Sequence, residues 1–193
     1  MKICVYGSSS DLIDREYIER TEELGRKMAM RKIGLVFGGG ACGLMGAAAR
    51  GVYSGGGEII GVAPTFFQVD GVLFKKCSEF IYTETMRERK QIMEDKSDAF
   101  IMTPGGIGTY EEFFEMFTLK QLGRHNKPIA IFNIKGYYDE MLTMLEKTVK
   151  GNFMREESLN LYKAFTDIDE MLDYIENYNE DAKSIEELKI IKR

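Results

Sequence analysis

Proline, histidine and long apolar runs are all scarce in this chain of 193 residues. It has three prolines and no internal period, which argues against fibrous, low-complexity and solenoid architectures. No apolar stretch approaches the roughly 20 residues that a membrane-spanning helix needs. Since 44% of the residues are hydrophobic and 30% are charged, the composition is that of a folded globular protein with one or at most two domains.

Cysteine and histidine are too few for a structural metal site. Cys4, Cys42 and Cys77 are odd in number, lie far apart and form no C-x-x-C pair. The single histidine, His125, stands in a helix-to-strand turn where we expect it at the surface, so a zinc site is not predicted. Free thiols, and a start that runs directly into an apolar strand rather than into an export signal, predict a cytoplasmic protein.

The chain also lacks a basic excess. It has 26 lysines and arginines against 31 aspartates and glutamates, which gives a formal net charge of −5. We therefore expect no general affinity for nucleic acids or for anionic membranes, although a local basic cluster can still bind a phosphate.

Short apolar segments alternate with longer amphipathic ones along the sequence. Continuous apolar strands that alternate with helices predict an α/β fold, a doubly wound parallel sheet covered by helices on both faces. One domain is expected over residues 1–180, followed by a charged helix or tail at 181–193. The predicted strands are 3–6, 33–37, 58–62, 80–82, 99–102 and 129–132, and the predicted helices are 14–31, one starting near Leu44, 85–96, 109–122, 137–149 and 167–177.

Three of the predicted strands end in loops of glycine and serine, at residues 7–10, 38–40 and 105–108. In parallel sheets ligands bind beyond the carboxyl ends of the strands. Glycine lets a ligand approach the backbone closely, and a helix that starts after such a loop adds unpaired N–H groups and the positive end of its dipole. These loops therefore predict a phosphate site.

The loop at residues 38–43 matches G-x-G-x-x-G literally, and Glu58 follows about twenty residues later, as in dinucleotide-binding folds. The match follows the second strand rather than the first, and any run of three glycines satisfies half of it. A tight strand-to-helix turn is the alternative interpretation. A NAD(P)-dependent oxidoreductase therefore stays open as an alternative function.

The segment Pro104-Gly105-Gly106-Ile107-Gly108-Thr109-Tyr110-Glu111-Glu112 is more specific. It follows the predicted strand at 99–102 and opens a helix rich in phenylalanine. Thr109 and Glu112 have the T-x-x-E spacing of a capping box, which would be a purely structural role. On either interpretation the Glu112 carboxylate lies at the mouth of the glycine loop, where it can meet a sugar carried by a phosphate.

Arg89 is the second candidate for a functional residue. On a helical wheel it falls on the apolar arc of Met86, Ile92 and Met93. An inward arginine needs an anionic partner, because burying an unpaired charge is costly. An internal ion pair would satisfy it, but with a predicted phosphate loop at the same sheet edge we favour a site residue. Lys90, at the edge of the arc, can also reach a phosphate.

The motifs together resemble one family. The segment at residues 104–112 resembles the PGGxGTxxE signature of the LOG proteins, the cytokinin riboside 5′-monophosphate phosphoribohydrolases that are often mislabelled as lysine decarboxylases. The resemblance runs from the Gly7-Ser8-Ser9 loop through residues 38–46 to Gln121-Leu122-Gly123, and the Arg89-Lys90 pair stands where the family has its arginine–lysine pair.

The resemblance implies a Rossmann-like homodimer that hydrolyses the N-glycosidic bond of AMP or N6-substituted AMP to the free base and ribose 5-phosphate. It implies a nucleoside 5′-monophosphate as the ligand. We expect no metal or other cofactor, since the cleavage requires none, and no nucleic-acid or membrane partner. The implied catalytic residues are Arg89 and Glu112, and the implied substrate-binding residues are Gly7, Ser8, Gly40, Met45, Lys90, Gly105, Gly106, Ile107, Gly108, Thr109, Glu111 and Thr118.

The chemistry agrees with these residue types. Glycosidic cleavage passes through an oxocarbenium-like transition state, which a carboxylate facing the sugar stabilises while it orients water. Glu112 has that role in our interpretation, with Glu111 as a helper, whereas Arg89 either holds the phosphate or stabilises the departing base. A non-catalytic carrier of a nucleotide or of molybdenum cofactor is a further alternative, since related folds bind without reacting. A pyridoxal-phosphate lysine decarboxylase is not expected, because no pattern indicates a Schiff-base lysine.

Overall fold

A computed structural model describes residues 1–179, and all seven strands in that range pair into one parallel sheet. The sheet order is β4-β3-β2-β1-β5-β6-β7. The predicted charged tail at 181–193 lies outside the described residues. The strands are β1 (Lys2–Tyr6), β2 (Gly34–Phe37), β3 (Ile59–Pro64), β4 (Glu79–Thr83), β5 (Ala99–Met102), β6 (Ile129–Phe132) and β7 (Lys163–Phe165).

Six α-helices in the described part of the chain cover the two faces of this sheet, so the predicted α/β, Rossmann-like fold is confirmed. α1, α2 and α6 pack on one face and α3, α4 and α5 on the other. Within residues 1–179 no helix has the length and apolar character that crossing a membrane requires. The helices are α1 (Arg15–Met30), α2 (Gly43–Ser54), α3 (Met86–Asp95), α4 (Ile107–Gln121), α5 (Asp139–Lys150) and α6 (Ile168–Glu176).

The predicted strands correspond to β1–β6, and the continuous apolar pattern has a simple cause. Every residue of β2, β5 and β6 is buried, because helices cover the sheet on both sides. β7 was not predicted: it is three residues long, and only its last residue, Phe165, is buried. A segment that short shows no period to recognise.

The strand order reverses between β1 and β5. From β1 the chain winds outward to β4 on one side, and it then crosses over to β5 on the other side of β1. This brings the loops after β1 and β5 together, and the Ser8 N–H donates to the Pro104 carbonyl at 3.0 Å. A crevice at the carboxyl edge of the sheet follows from this topology.

Two glycines allow α1 and α2 to cross in backbone contact. A Cβ atom on Gly25 would lie 2.3 Å from the carbonyl oxygen of Ala48, and one on Gly51 would lie 2.1 Å from that of Glu22. Any side chain at either position would push the helices apart. α2 carries the loop after β2 at its start, so this crossing also fixes one wall of the crevice.

We expect Gly25→Ala to lower the free energy of unfolding by about 1 to 2 kcal/mol, because overpacking outweighs the gain in helix propensity. Urea denaturation measures this change. Met30→Ala is the control on the same helix, since Met30 is 80% exposed, and it should change the free energy by less than about 0.5 kcal/mol. A Gly25→Ala protein as stable as the wild type would contradict close packing at this crossing.

Candidate active site at the carboxyl edge of the sheet

Arg89 and Glu112 form a buried ion pair between α3 and α4. The Arg89 Nη1 lies 3.1 Å from the Glu112 Oε1, and the Arg89 Nε donates to the Val62 carbonyl at 3.2 Å. The side chains are 7% and 12% exposed. The inward arginine predicted from the helical wheel is confirmed, and its anionic partner is the carboxylate at the start of the next helix.

Local sequence explains how Arg89 reaches this position. α3 is capped by Thr85, whose hydroxyl accepts the N–H of Glu88 at 3.1 Å, so the helix starts immediately after the turn that follows β4. Gly38 leaves space for the Arg89 guanidinium because it has no side chain. A Cβ on Gly38 would lie 2.0 Å from the Arg89 Nη2, so only glycine at the end of β2 leaves room for the cation.

Burial and charge act in opposite directions on Glu112. Burial raises the pKa of this carboxyl above the ordinary value of 4.5, and the charge of Arg89 and its hydrogen bond oppose the rise. Nearby, burial raises the pKa of the Cys4 thiol to about 12, so this cysteine is protonated and is not a nucleophile. Glu112 is therefore the group in this cluster that can present a negative charge.

The glycine loop at residues 105–108 leads into the N-terminus of α4. The helix begins at Ile107 with Gly106 as its N-cap, so Thr109 and Glu112 do not form the capping box that was the alternative interpretation of their spacing. Thr109 lies inside the first turn and is 4% exposed, because its hydroxyl packs against Gly105 instead of capping. Within residues 1–179, nothing accepts a hydrogen bond from the N–H groups of Gly106, Ile107 and Gly108. Exposed N–H groups at a helix N-terminus form an anion site.

The other glycine loop, at residues 38–43, is arranged differently. The Gly43 N–H at the start of α2 donates to the Asp11 Oδ1 at 2.7 Å, so the chain's own carboxylate occupies this helix N-terminus. Glu58 precedes β3 at the opposite edge of the sheet and lies 3.5 Å from the Lys2 ammonium. This geometry does not fit a dinucleotide, whose pyrophosphate and ribose would need both groups at one edge.

Four of the expected substrate-binding residues join the loops to one another. A Cβ on Gly7 would lie 2.2 Å from the Thr103 hydroxyl, so this glycine allows the first loop to pack on the end of β5. The Ser8 carbonyl accepts the N–H groups of Leu44 and Met45 at the start of α2. Gly40 forms an isolated antiparallel bridge with Leu73, and the Met45 side chain packs against Gly40.

Lys90 is paired before any ligand arrives. Its ammonium forms salt bridges with Glu111 and with Glu115, the latter at 2.9 Å. Glu115 was not singled out in the sequence, although it lies one helical turn after Glu111 on the same face of α4. Thr118 is exposed and lies about 15 Å along α4 from Gly108, so the structure does not bring it to the glycine loop of its own chain.

Two tyrosines hold the glycine loop, and sequence analysis missed them. The Tyr137 hydroxyl donates to the Gly105 carbonyl at 2.8 Å, and the Tyr138 hydroxyl donates to the Thr103 carbonyl at 2.7 Å. Asn133, just after β6, accepts the Tyr138 N–H at 2.8 Å and fixes this turn. The available signal was topological: the tyrosines follow β6, which neighbours β5.

His125 is half-buried, so its expected surface position is wrong. Its ring lies 5.5 Å from the Phe100 ring, and its Nε2 lies 2.9 Å from the Met116 carbonyl. Burial lowers the pKa of this histidine to about 4, which keeps it neutral. Among residues 1–179 no three histidine, cysteine, aspartate or glutamate side chains are grouped as a metal site.

Comparison with known proteins identifies relatives that extend over most of the chain. The family model described as "Possible lysine decarboxylase" matches residues 45–175. A protein of Oryza sativa subsp. japonica, named a probable cytokinin riboside 5′-monophosphate phosphoribohydrolase, is 38% identical over 92% of this chain and 78% of its own length. The cytokinin riboside 5′-monophosphate phosphoribohydrolase LOG2 of Arabidopsis thaliana is 34% identical over 92% of this chain and 83% of its own length.

Among solved structures, the molybdenum cofactor carrier protein of Chlamydomonas reinhardtii has the same fold. It matches with a TM-score of 0.69 at 21% identity and covers 91% of this chain and 95% of its own. At that identity the likeness concerns the fold alone. The family match and the curated relatives, by contrast, extend over most of the sequence and include the glycine loop, Arg89 and Glu112. The chain therefore belongs to the LOG family, the family of the cytokinin riboside 5′-monophosphate phosphoribohydrolases.

Proposed function

We propose that this protein hydrolyses the N-glycosidic bond of AMP or of N6-substituted AMP and releases the free base and ribose 5-phosphate. The observation that carries the proposal is the buried Arg89–Glu112 pair one helical turn from an uncapped helix N-terminus. Family membership and the names of the relatives support the same reaction.

The geometry suggests how a nucleotide would sit. The 5′-phosphate would accept hydrogen bonds from the N–H groups of Gly106, Ile107 and Gly108. Glu112 follows Gly108 by about 6 Å along α4, which is on the scale of one sugar ring. Its carboxylate would then stabilise the positive charge that develops at C1′ and orient the attacking water. A bond forms between the water oxygen and C1′, the bond from C1′ to the base breaks, and the base leaves with a proton.

In this proposal Arg89 keeps Glu112 charged and oriented. Two of its nitrogens already donate to Glu112 and to the Val62 carbonyl, which aligns the carboxylate from behind. Its positive charge counteracts the pKa rise that burial causes in Glu112. Nη2, above Gly38, is the part of the guanidinium left to contact a phosphate or the departing base.

The decarboxylase in the family description fits the site poorly. Pyridoxal-phosphate chemistry needs a lysine that is readily deprotonated. Burial alone would lower the pKa of Lys90, but its hydrogen bonds to Glu111 and Glu115 outweigh burial and raise it. A lysine held as a cation by two carboxylates is unsuited to form a Schiff base.

We also propose a homodimer in the cytoplasm. Exposed apolar side chains flank a groove of about 600 Å³ between α4 and α5, beside the glycine loop. Ile107 is 87% exposed and Met144 is 46% exposed there. Thr118 continues the helical stripe of Ile107 and Glu111, so we assign it to this contact rather than to the loop of its own copy. The three unpaired cysteines support the cytoplasmic location.

The first prediction concerns the reaction itself. Purified protein incubated with AMP or with N6-isopentenyl-AMP should release free base, measured by chromatography. Glu112→Gln keeps an oxygen that can accept from Arg89 but removes the charge, and we expect it to lower kcat at least about 100-fold. Glu146→Gln, the same change at an exposed position on α5, should retain the wild-type rate.

Three outcomes separate the alternatives. Binding of AMP without release of base from either nucleotide would contradict the hydrolase and favour a carrier. Conversion of lysine to its decarboxylated amine would support the decarboxylase. If the Glu112→Gln protein releases base at the wild-type rate, the protein is still a hydrolase but Glu112 does not have the proposed role.

The second prediction concerns pH. Since burial raises the pKa of Glu112, this carboxyl should titrate above 4.5, and base release should fall as the pH drops through that value because the reaction needs the charged form. Carbon-13 NMR of glutamate-labelled protein gives the midpoint, and the signal lost in Glu112→Gln assigns it. A midpoint at or below 4.5 would show that Arg89 outweighs burial.

The third prediction concerns assembly. Light scattering should give twice the chain mass of 22.0 kDa for the wild type at micromolar concentration. Met144→Asp places a charge in the apolar groove and should shift the protein to monomers. Met30→Asp, at a site that is 80% exposed on α1, the helix packed on the other face of the sheet, serves as the control and should leave the dimer intact. A monomeric wild type would rule out the dimer.

A further inference from the structure

We infer that Tyr137 is a positioning residue that keeps the glycine loop in its anion-binding conformation. The hydroxyl of Tyr137 fixes the peptide between Gly105 and Gly106, so that the N–H of Gly106 faces the phosphate. The inference rests on the proposed function for its ligand, a nucleoside 5′-monophosphate, but it concerns a residue that takes no part in the bond cleavage.

The carbonyls of Thr103, Pro104 and Gly105, between the end of β5 and the N-cap of α4, each accept a hydrogen bond from a donor outside the loop. The Thr103 carbonyl accepts from the Tyr138 hydroxyl at 2.7 Å, and the Pro104 carbonyl accepts from the Ser8 N–H at 3.0 Å. The Gly105 carbonyl accepts from the Tyr137 hydroxyl at 2.8 Å. These three hydrogen bonds turn the carbonyl oxygens, which would repel a phosphate, away from the crevice.

The peptide between Gly105 and Gly106 is the one that most needs such a restraint. A trans peptide is planar, so its C=O and N–H point in opposite directions, and no peptide bond in residues 1–179 is cis. Rotating this peptide requires changes in ψ of Gly105 and φ of Gly106, and both residues lack the Cβ that would resist them. A flip would replace the Gly106 N–H with a carbonyl oxygen at the anion site.

The position of Tyr137 is itself well determined. Its ring makes edge contacts with Tyr138 at 4.9 Å and with Tyr17 at 6.0 Å between centroids. Lys135 ties this turn to the start of α1 through salt bridges with Asp14 at 2.9 Å and Glu16 at 3.0 Å. These contacts fix the Tyr137 hydroxyl beside the Gly105 carbonyl. Tyr137 is still 38% exposed, so its hydroxyl can be removed without leaving a cavity.

Tyr138 also bonds this loop, but loss of its hydroxyl would lower stability, whereas loss of the Tyr137 hydroxyl would release the loop peptide. Tyr138 is fully buried, and its hydroxyl bonds the Thr103 carbonyl next to β5, where proline follows and restricts the backbone. Removing that hydroxyl would leave a buried carbonyl unpaired and lower stability. Only Tyr137 holds a peptide that is flanked by glycine on both sides.

Tyr137→Phe tests the inference, with AMP as substrate and ribose 5-phosphate as the ligand for calorimetry. We expect KM for AMP and the dissociation constant of ribose 5-phosphate both to rise about fivefold, the effect of one net hydrogen bond. Because Glu112 and Arg89 are untouched, kcat should change less than twofold, and the thermal midpoint should stay within about 2 °C. Tyr53→Phe is the matched control: this tyrosine is 48% exposed on α2, away from the loop, and its loss of a hydroxyl should change neither constant.

Unchanged KM and unchanged ribose 5-phosphate affinity in Tyr137→Phe would overturn the inference. So would a fall in kcat and thermal midpoint with unchanged binding, since that pattern describes a merely structural residue. If the wild type releases no base from any nucleotide, the proposed function fails. In that case AMP is not consumed and can itself be titrated by calorimetry: weaker AMP binding in Tyr137→Phe than in the wild type supports the role of Tyr137, and equal binding refutes it.

Discussion

The ion pair between Arg89 and Glu112 joins α3 to α4 across the carboxyl edge of the sheet, and the other features of the site are arranged around it. Two charges this deeply buried are tolerated only together, because removing either one leaves the other without a partner or solvent. The pair also needs space, which Gly38 supplies at the end of β2, and a second acceptor, which is the Val62 carbonyl. The need to keep these two charges paired therefore fixes how α3 and α4 lie relative to the ends of β2 and β3.

The N-termini of α2 and α4, both at this edge of the sheet, differ in whether their N–H groups are capped. At α2 the Asp11 carboxylate accepts the Gly43 N–H, so that helix dipole is satisfied from within the chain. At α4 no side chain in the described part of the protein caps the helix, and the carbonyls that precede it are turned outward by hydrogen bonds. The N-terminus of α2 is therefore capped from within the chain, whereas that of α4 leaves its N–H groups free to bind an anion. The open helix N-terminus is thus the one after the loop at residues 105–108 and not the one after the loop at residues 38–43, whose glycine pattern suggested a dinucleotide.

Glycine has three separate functions in this fold, and composition does not distinguish them. Gly25 and Gly51 allow two helices to touch, Gly38 makes room for a cation, and the glycines at residues 105–108 leave N–H groups accessible. At Gly25, Gly51 and Gly38 the absent Cβ matters because of a particular neighbour, whereas Gly106 and Gly108 face open space. A cluster of glycines in a sequence thus indicates close approach without indicating what approaches.

The sequence by itself determined the α/β class, six of the seven strands and the inward orientation of Arg89, because these depend on hydrophobic period and on the cost of burying an unpaired charge. The signature at residues 104–112 also determined the family. Only the tertiary structure decided which helix N-terminus stays open, since Asp11 reaches Gly43 across 32 positions. It likewise decided that Thr109 packs inside α4 rather than capping it, that His125 is half-buried, and that Tyr137 holds the Gly105 carbonyl. These outcomes depend on contacts between segments that are distant in sequence, and no local pattern specifies such contacts.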